Sequence, residues 1–225
     1  MIQALRRCLR NSLASTCAAA ALVSMASAAA DDPAAASPRW RVEVKGGNFE
    51  PALESFDTFY GDDEADHVAV SFARGLRPWL EAGAEVGHMR ETGLGVLSTE
   101  GTPGGEVTYT LVPLHLFVNF RGLRKTDQLF VPYVGLGLSS AYYKEEIDLQ
   151  PDRSGVSHLG SDWRLGLQLY LNRLDGDTRG DYANAGVKQT YLFAEIQRFS
   201  TEQSDKDLGG DLLTIGFRFT FGPDD

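Results

Sequence analysis

The segment DWRLGLQLYLNR, Asp162 to Arg173, decides the fold of this chain. Trp163 and the four leucines that end at Leu171 all occupy odd positions, whereas most polar and small residues occupy even ones. A helix would scatter these apolar side chains around its circumference, but a strand sends successive side chains to opposite faces. The segment is therefore predicted to be a β-strand with one apolar face. Periodicity alone leaves open whether that face meets a protein core or lipid.

The same alternation recurs along the rest of the chain. Several of these segments have nine residues or more. A tilted strand needs about that length to cross a bilayer, whereas strands of soluble proteins average about five or six residues. The sequence therefore predicts eight membrane-crossing strands. The seven other segments are 40–46, 67–74, 80–89, 107–120, 130–143, 190–199 and 212–221.

The connections between these segments alternate in length. Those after the second and fourth segments are short, as expected for the turns at one end of an up-and-down outer-membrane barrel. The connection 174–188 is long although it falls at this short-turn end, which predicts either a small excursion there or a miscounted strand. The long connections, polar or rich in glycine, are 47–66, 91–106, 144–157 and 200–210.

The first thirty residues have the features of a secretory signal peptide. Three arginines precede a short apolar stretch rich in alanine, and small residues follow it. We expect cleavage after Ala28 or Ala30. The predicted organisation is a signal peptide at 1–30, an irregular lead at 31–39, a barrel at 40–221 and a short tail at 222–225.

The chain is acidic, with 21 lysines and arginines, 31 aspartates and glutamates, and a formal net charge of −10. Loss of the signal peptide would remove three arginines and no acid, which makes the balance more acidic still. We therefore expect no nucleic acid partner, since phosphate binding requires clustered basic residues. Cys8 and Cys17 both lie in the predicted signal peptide, so no disulfide is expected in the exported protein.

The polar faces of the predicted strands carry charges of both signs. Eight strands close a barrel whose interior is just filled by side chains. Charges that point inward must then pair with one another to offset their desolvation. We predict an interior network in which Arg164 and Arg218 pair with Glu81, Glu85 and Glu195. In a soluble barrel the same charges would face water.

Glycines and aromatic residues have characteristic positions in the pattern. Glycines such as Gly135 and Gly166 recur on the polar faces, where tyrosines such as Tyr133 are predicted to fold over the gaps. Aromatic residues concentrate toward strand ends, as in the girdles of outer-membrane barrels. The predicted girdle residues are Trp40, Trp79, Phe120, Phe130, Tyr142, Trp163, Phe199 and Phe221.

Two segments resemble the small OmpA/OmpX-type outer-membrane β-barrel family of Gram-negative bacteria. FVPYVGLGLSSAYY, 130–143, is similar to the Pro-Tyr-x-Gly-x-Gly strand often found in these proteins. LLTIGFRFTF, 212–221, resembles their C-terminal β-signal, although four more residues follow the final aromatic. The resemblance implies a location in the cell outer membrane, contact with the lipid bilayer, and recognition of the last strand by the barrel-insertion machinery.

No catalytic or cofactor motif stands out. Some eight-stranded barrels of this membrane are lipid A deacylases with a His-x-Ser segment, but none of the four histidines here has a serine two positions later. Ser157 and His158 would point to opposite faces of a strand, which prevents the hydrogen bond that a nucleophile needs from its base. His115 is interpreted as an interior side chain. We expect no enzymatic activity, no cofactor and no metal site.

The favoured interpretation is an eight-stranded antiparallel up-and-down transmembrane β-barrel with a charge-paired, plugged interior. Its role would be non-enzymatic, structural or interactive at the cell surface, with a surface partner that the sequence does not identify. Trp163 to Leu171 would then face hydrocarbon, and Arg164 and Gln168 the interior. Two alternatives stay open: a small pore for hydrophobic or cationic solutes, and a lipocalin-like soluble ligand carrier, which would have an apolar interior and a polar exterior.

Overall fold

The computed structural model shows that all eight predicted strands form. It describes residues 39–53, 56, 60, 64–96, 103–123, 125, 128–148, 151–174, 186–203 and 206–222. The predicted signal peptide and most of the connection 174–188 lie outside these residues. The barrel strands are β1 Trp40–Pro51, β2 Ala65–Arg77, β3 Leu80–Val96, β4 Pro103–Arg121, β5 Phe130–Ile147, β6 Gly160–Tyr170, β7 Val187–Ser200 and β8 Gly210–Phe221.

The strands form one closed antiparallel barrel in up-and-down order. Each pairs with its neighbours in sequence, and β1 closes the barrel against β8. The closing register runs from Trp40 opposite Phe221 to Pro51 opposite Gly210. Among the described residues, every strand pairs on both sides through the part of the wall from the short turns to His67 and Met89, and such closure is the condition for crossing hydrocarbon with strands.

The outside of the barrel is apolar and its inside is polar. In β6, Leu167 is 47% exposed whereas Arg164 and Gln168 are 0% exposed. A soluble carrier would show the opposite arrangement, so the leucine face of the opening segment meets lipid. Exposed apolar side chains on seven of the eight described strands form this belt, among them Val44, Val70, Phe72, Val86, Leu114, Leu116, Leu136, Leu138, Leu213, Ile215 and Phe217.

The opening segment is shorter as a strand than predicted. β6 ends at Tyr170, and Leu171–Arg173 form a single 3-10 turn. Tyr170 is the last β6 residue that pairs with β7, where it lies opposite Tyr191. The prediction that Leu171 continues the lipid-facing row is therefore wrong, although the row from Trp163 to Leu169 is on the strand.

Aromatic side chains gather around the short-turn end on the outer surface. Trp40 stacks on Phe72 with ring centroids 4.9 Å apart, and Trp79 stacks on Phe120 at 6.2 Å. This arrangement is typical of a girdle at the lipid–water boundary. The prediction that Phe199 belongs to the girdle is wrong, because it is buried inside the barrel.

The wall is taller on one side. β3, β4 and β5 contain 17, 19 and 18 residues, and the part of β3 beyond Met89 pairs only with β4. The predicted loops 91–106 and 144–157 were therefore too long. The strands continue where the alternation fades, because above the lipid neither face of a strand has to be apolar.

Short elements fold over the mouth at this end. The strand Arg153–Val156 pairs with the upper part of β5, and Glu202–Gln203 pairs with Lys206–Asp207 in a small hairpin. The Asp207 carboxylate accepts hydrogen bonds from the backbone N–H groups of Thr201 and Gly209, at 2.9 and 2.8 Å. Within the described part of the chain, no helix has the length and apolarity to cross a bilayer.

Candidate functional site

One charged cluster occupies the half of the lumen near the short turns. The Arg218 guanidinium contacts Glu43 and donates to Glu81 Oε1 at 2.9 Å. Arg41 pairs with Glu81 at 2.8 Å, and Asn119 donates to the same carboxylate at 3.0 Å. Glu81 thus receives two guanidinium groups and one amide in a place from which water is excluded.

A second cluster lies toward the middle of the barrel. Lys45 Nζ is 2.9 Å from Glu85 and 2.5 Å from Glu195. Arg164 donates to Glu85 at 3.1 Å and to Asp162 at 2.7 Å. Glu85 therefore bridges two cations, and β1, β3, β6 and β7 are joined across the lumen.

All five charged residues predicted for the interior are buried, but their partners differ in part from the prediction. Arg164 contacts Glu85 and Arg218 contacts Glu81, whereas Glu195 pairs with Lys45 and accepts a hydrogen bond from the Tyr133 hydroxyl at 2.7 Å. The alternation along a strand predicts that a side chain points inward, but it does not give the position of that side chain along the barrel axis, here called its height. The height depends on the stagger between strands far apart in sequence.

The buried charges balance. The described residues contribute five buried cations and five buried carboxylates. Five of these ten residues were not in the predicted network. The alternation of inward and outward positions along each strand would have identified them, because each lies on the polar face of its strand. The ten are Arg41, Lys45, Arg121, Arg164, Arg218, Glu43, Glu81, Glu85, Asp162 and Glu195.

Aromatic rings fill the space between these charges. The Arg164 guanidinium lies over the Phe117 ring at 4.2 Å, and that of Arg218 lies 5.6 Å from the centre of Tyr133. The Tyr133 ring itself covers Gly166, where even a methyl group would collide with it. The predicted pairing of a large interior tyrosine with a glycine on the next strand is found at this position.

A serine and a histidine meet inside the barrel, which the sequence did not predict. His115 Nδ1 lies 2.6 Å from Ser139 Oγ, and the same nitrogen lies 4.0 Å from Asp162. A catalytic triad requires the serine and the carboxylate on different ring nitrogens. Both residues are fully buried, and the Phe199 ring packs on His115 with centroids 5.0 Å apart. The described residues include no cluster of three or more His, Cys, Asp or Glu able to hold a metal.

An apolar layer closes the lumen above the charged clusters. Phe49 and Phe199 stack with centroids 5.6 Å apart. Their neighbours Met89, Leu111 and Leu212 are equally buried. These side chains lie on the same face of their strands as the inward-pointing polar residues, but nearer the loop end. That position could have predicted from the sequence that they point inward.

A cavity of about 230 Å³ lies above this layer, at the loop end. Its floor consists of the buried side chains Phe56, Tyr109 and Leu208. Half-buried residues form its walls, and the exposed cations Arg153 and Lys206 lie at its rim. The remaining lining residues are Leu53, Tyr60, Tyr143, Glu145, Gln203, Arg153 and Lys206.

Solved structures share this architecture. Neisserial surface protein A is similar, with a TM-score of 0.53 and 13% sequence identity over 80% of this chain and 96% of that protein. The outer membrane protein OprG from Pseudomonas aeruginosa gives a TM-score of 0.52 and 12% identity over 83% and 97% of the two chains. No family profile and no curated protein sequence matches. The predicted fold of a small outer-membrane barrel is confirmed, and with its apolar belt the chain is placed in that membrane.

Proposed function

We propose that this chain is a closed, non-enzymatic outer-membrane barrel that holds a folded loop end at the cell surface for a structural or interaction role. The observation that carries the proposal is the filled lumen. Two layers of paired charges and one apolar layer follow one another along its axis, so a solute would have to displace all three. The sealed Ser139–His115 pair supports the absence of enzymatic activity.

Conductance tests the closed lumen. Purified protein is reconstituted into planar phosphatidylcholine bilayers in KCl, with heat-denatured protein as the control. We expect no discrete current steps above those of the control. Steps that scale with the amount of folded protein would contradict the proposal, and cation selectivity of those steps would favour the small-pore alternative.

The loop end is proposed to face outward, as the longer loops of bacterial outer-membrane barrels do. Leu159 at the loop end and Leu174 at the short-turn end are 67% and 63% exposed, which makes them a matched pair. With both native cysteines in the predicted signal peptide, Leu159→Cys and Leu174→Cys each introduce the sole thiol of the exported protein. A membrane-impermeant maleimide added to intact cells should label only Leu159→Cys. Labelling of Leu174→Cys alone would reverse the orientation.

The insertion machinery is the other proposed partner. β8 supports this proposal because its outward row ends on Phe221 and the strand closes the barrel against β1. Phe221→Ala should lower the amount of folded protein in the membrane, measured by heat-modifiable gel mobility. Phe130→Ala is the matched control, since that ring is exposed at the same short-turn end, where Phe221 is half-buried, but lies on β5. Equal yields of the two variants would count against recognition of β8.

A further inference from the structure

We propose that the cavity at the loop end binds a small organic acid that carries one or two aromatic rings. The proposal goes beyond the surface role above and does not depend on whether the lumen conducts. It rests on the volume of the cavity, on the order of apolar and charged groups from floor to rim, and on the closed layer beneath it.

The volume fits a ring-bearing molecule. An apolar cavity of about 150 Å³ holds benzene, and the cavity here measures about 230 Å³. One or two fused rings with a short side chain therefore fit, whereas a lipid chain of ordinary length does not. The cavity is also blind, because the layer formed by Phe49, Phe199 and their neighbours closes the lumen below it.

The floor favours aromatic rings. Phe56 contacts Tyr109 edge-on, with centroids 6.2 Å apart and planes at 77°, and Tyr60 lies 4.5 Å from Phe56. Rings attract further rings in edge-to-face and offset arrangements of this kind. Burial, together with nearby Glu145, raises the pKa of the Tyr60 hydroxyl. A tyrosine hydroxyl is protonated at neutral pH even without this shift, so Tyr60, which lines the cavity, has a donor for a hydrogen bond to the ligand.

The rim favours an anion. Arg153 and Lys206 line the cavity and are exposed, and neither forms an ion pair with another described residue. Glu145 is half-buried in the wall and lies directly across from Arg153 in the strand pairing. An acid with its ring on the floor would place its carboxylate near the two cations at the rim. Glu145 would repel that carboxylate and so weaken binding.

Three indoles separate the ligand classes, because they share one ring system and differ in charge. The protein is placed in phosphatidylcholine nanodiscs, and indole-3-acetate, indole and tryptamine are titrated by equilibrium dialysis against empty nanodiscs. We expect indole-3-acetate to bind about two- to thirtyfold more tightly than indole, the range expected for two exposed ionic contacts. Tryptamine should bind more weakly than indole. Tighter binding of tryptamine, or no saturable binding above empty discs, would overturn the proposal.

Four variants locate the site. R153Q/K206Q should remove the preference for indole-3-acetate over indole, and Glu145→Gln should strengthen binding of the acid. Leu53→Trp should abolish binding of both by filling the cavity, with its fold checked by heat-modifiable mobility. Arg90→Gln is the matched control, an exposed arginine on the outer face of β3 that does not line the cavity. Equal losses in R153Q/K206Q and Arg90→Gln, or unchanged binding in R153Q/K206Q, would place the acid elsewhere.

Discussion

Replacing Arg164 by methionine tests whether the lumen is held by specific charge pairs. The side chain is 0% exposed and donates to Asp162 at 2.7 Å and to Glu85 at 3.1 Å. Methionine keeps the unbranched apolar stem of the side chain but removes the guanidinium that lies over Phe117. Breaking a buried pair by removing one partner leaves an uncompensated charge and lowers the free energy of unfolding by about 3–5 kcal/mol.

The contacts also predict which second substitution restores stability. Glu85 keeps Lys45 at 2.9 Å after Arg164 is lost. Asp162 retains the Gln197 amide at 2.9 Å, and apart from Arg164 its described ion-pair contact is His115 at 4.0 Å. Asp162 is therefore the carboxylate left without a close cation. Adding Asp162→Asn to Arg164→Met should restore about 1–3 kcal/mol, the range for coupled neighbours, and Glu85→Gln should restore less.

The assay is urea unfolding of the barrel in phosphatidylcholine vesicles, followed by tryptophan fluorescence, with heat-modifiable gel mobility as a second measure of the folded fraction. Glu81→Gln serves as the control, because Glu81 pairs with Arg218 and Arg41 in the other cluster. It should not compensate Arg164→Met. Additive free energies for Arg164→Met with Asp162→Asn, or equal rescue by all three carboxylate substitutions, would refute the pairwise network.

Further predictions concern the two faces of the wall, and each is measured by the same unfolding assay. Leu167→Arg should lower stability by about 2–4 kcal/mol because it places a charge in hydrocarbon, whereas Leu174→Arg beyond the strand should have little effect; equal effects would contradict the lipid-facing assignment. Phe199→Ala should lower stability by about 3–5 kcal/mol, as expected for a buried ring, and Phe130→Ala on the outer surface by less; the reverse order would return Phe199 to the girdle. Gly166→Ala should lower stability by about 1–3 kcal/mol through overpacking, and an unchanged midpoint would show that the Tyr133 ring has room to move.

The sequence predicts whether a side chain points into or out of this barrel better than it predicts the position of that side chain along the barrel axis. Parity in β6 separates Leu167 from Arg164 correctly, because a lipid-facing row must be apolar at every second position. The partner of Glu195 could not be predicted in this way. Lys45 lies 150 residues away in sequence, and the two meet only because closure of β1 against β8 brings β7 close to β1.

The alternation of apolar and polar residues also fails to predict the strand ends where the strands extend beyond the lipid. The upper parts of β3 and β5 carry polar residues on both faces, so their alternation disappears although their backbone pairing continues. Phe199 was assigned to the girdle because it is aromatic and near a strand end. Its odd number, shared with Glu195 and Gln197 on β7, places it inside, so parity was the better guide than residue type.

The balanced interior explains why opening this lumen would require concerted change. Some of the ten buried charges have a single close counter-charge, as Asp162 has in Arg164, and loss of that partner in a place without water costs about 3–5 kcal/mol. Removing a matched pair such as Arg218 and Glu43 avoids that penalty, but the layer of Phe49, Phe199 and Leu212 still blocks the axis toward the loop end. Substitution of the apolar layer alone leaves both charged clusters in place. A conducting form therefore needs changes in both kinds of layer, and single substitutions in either one should reduce stability before they produce current.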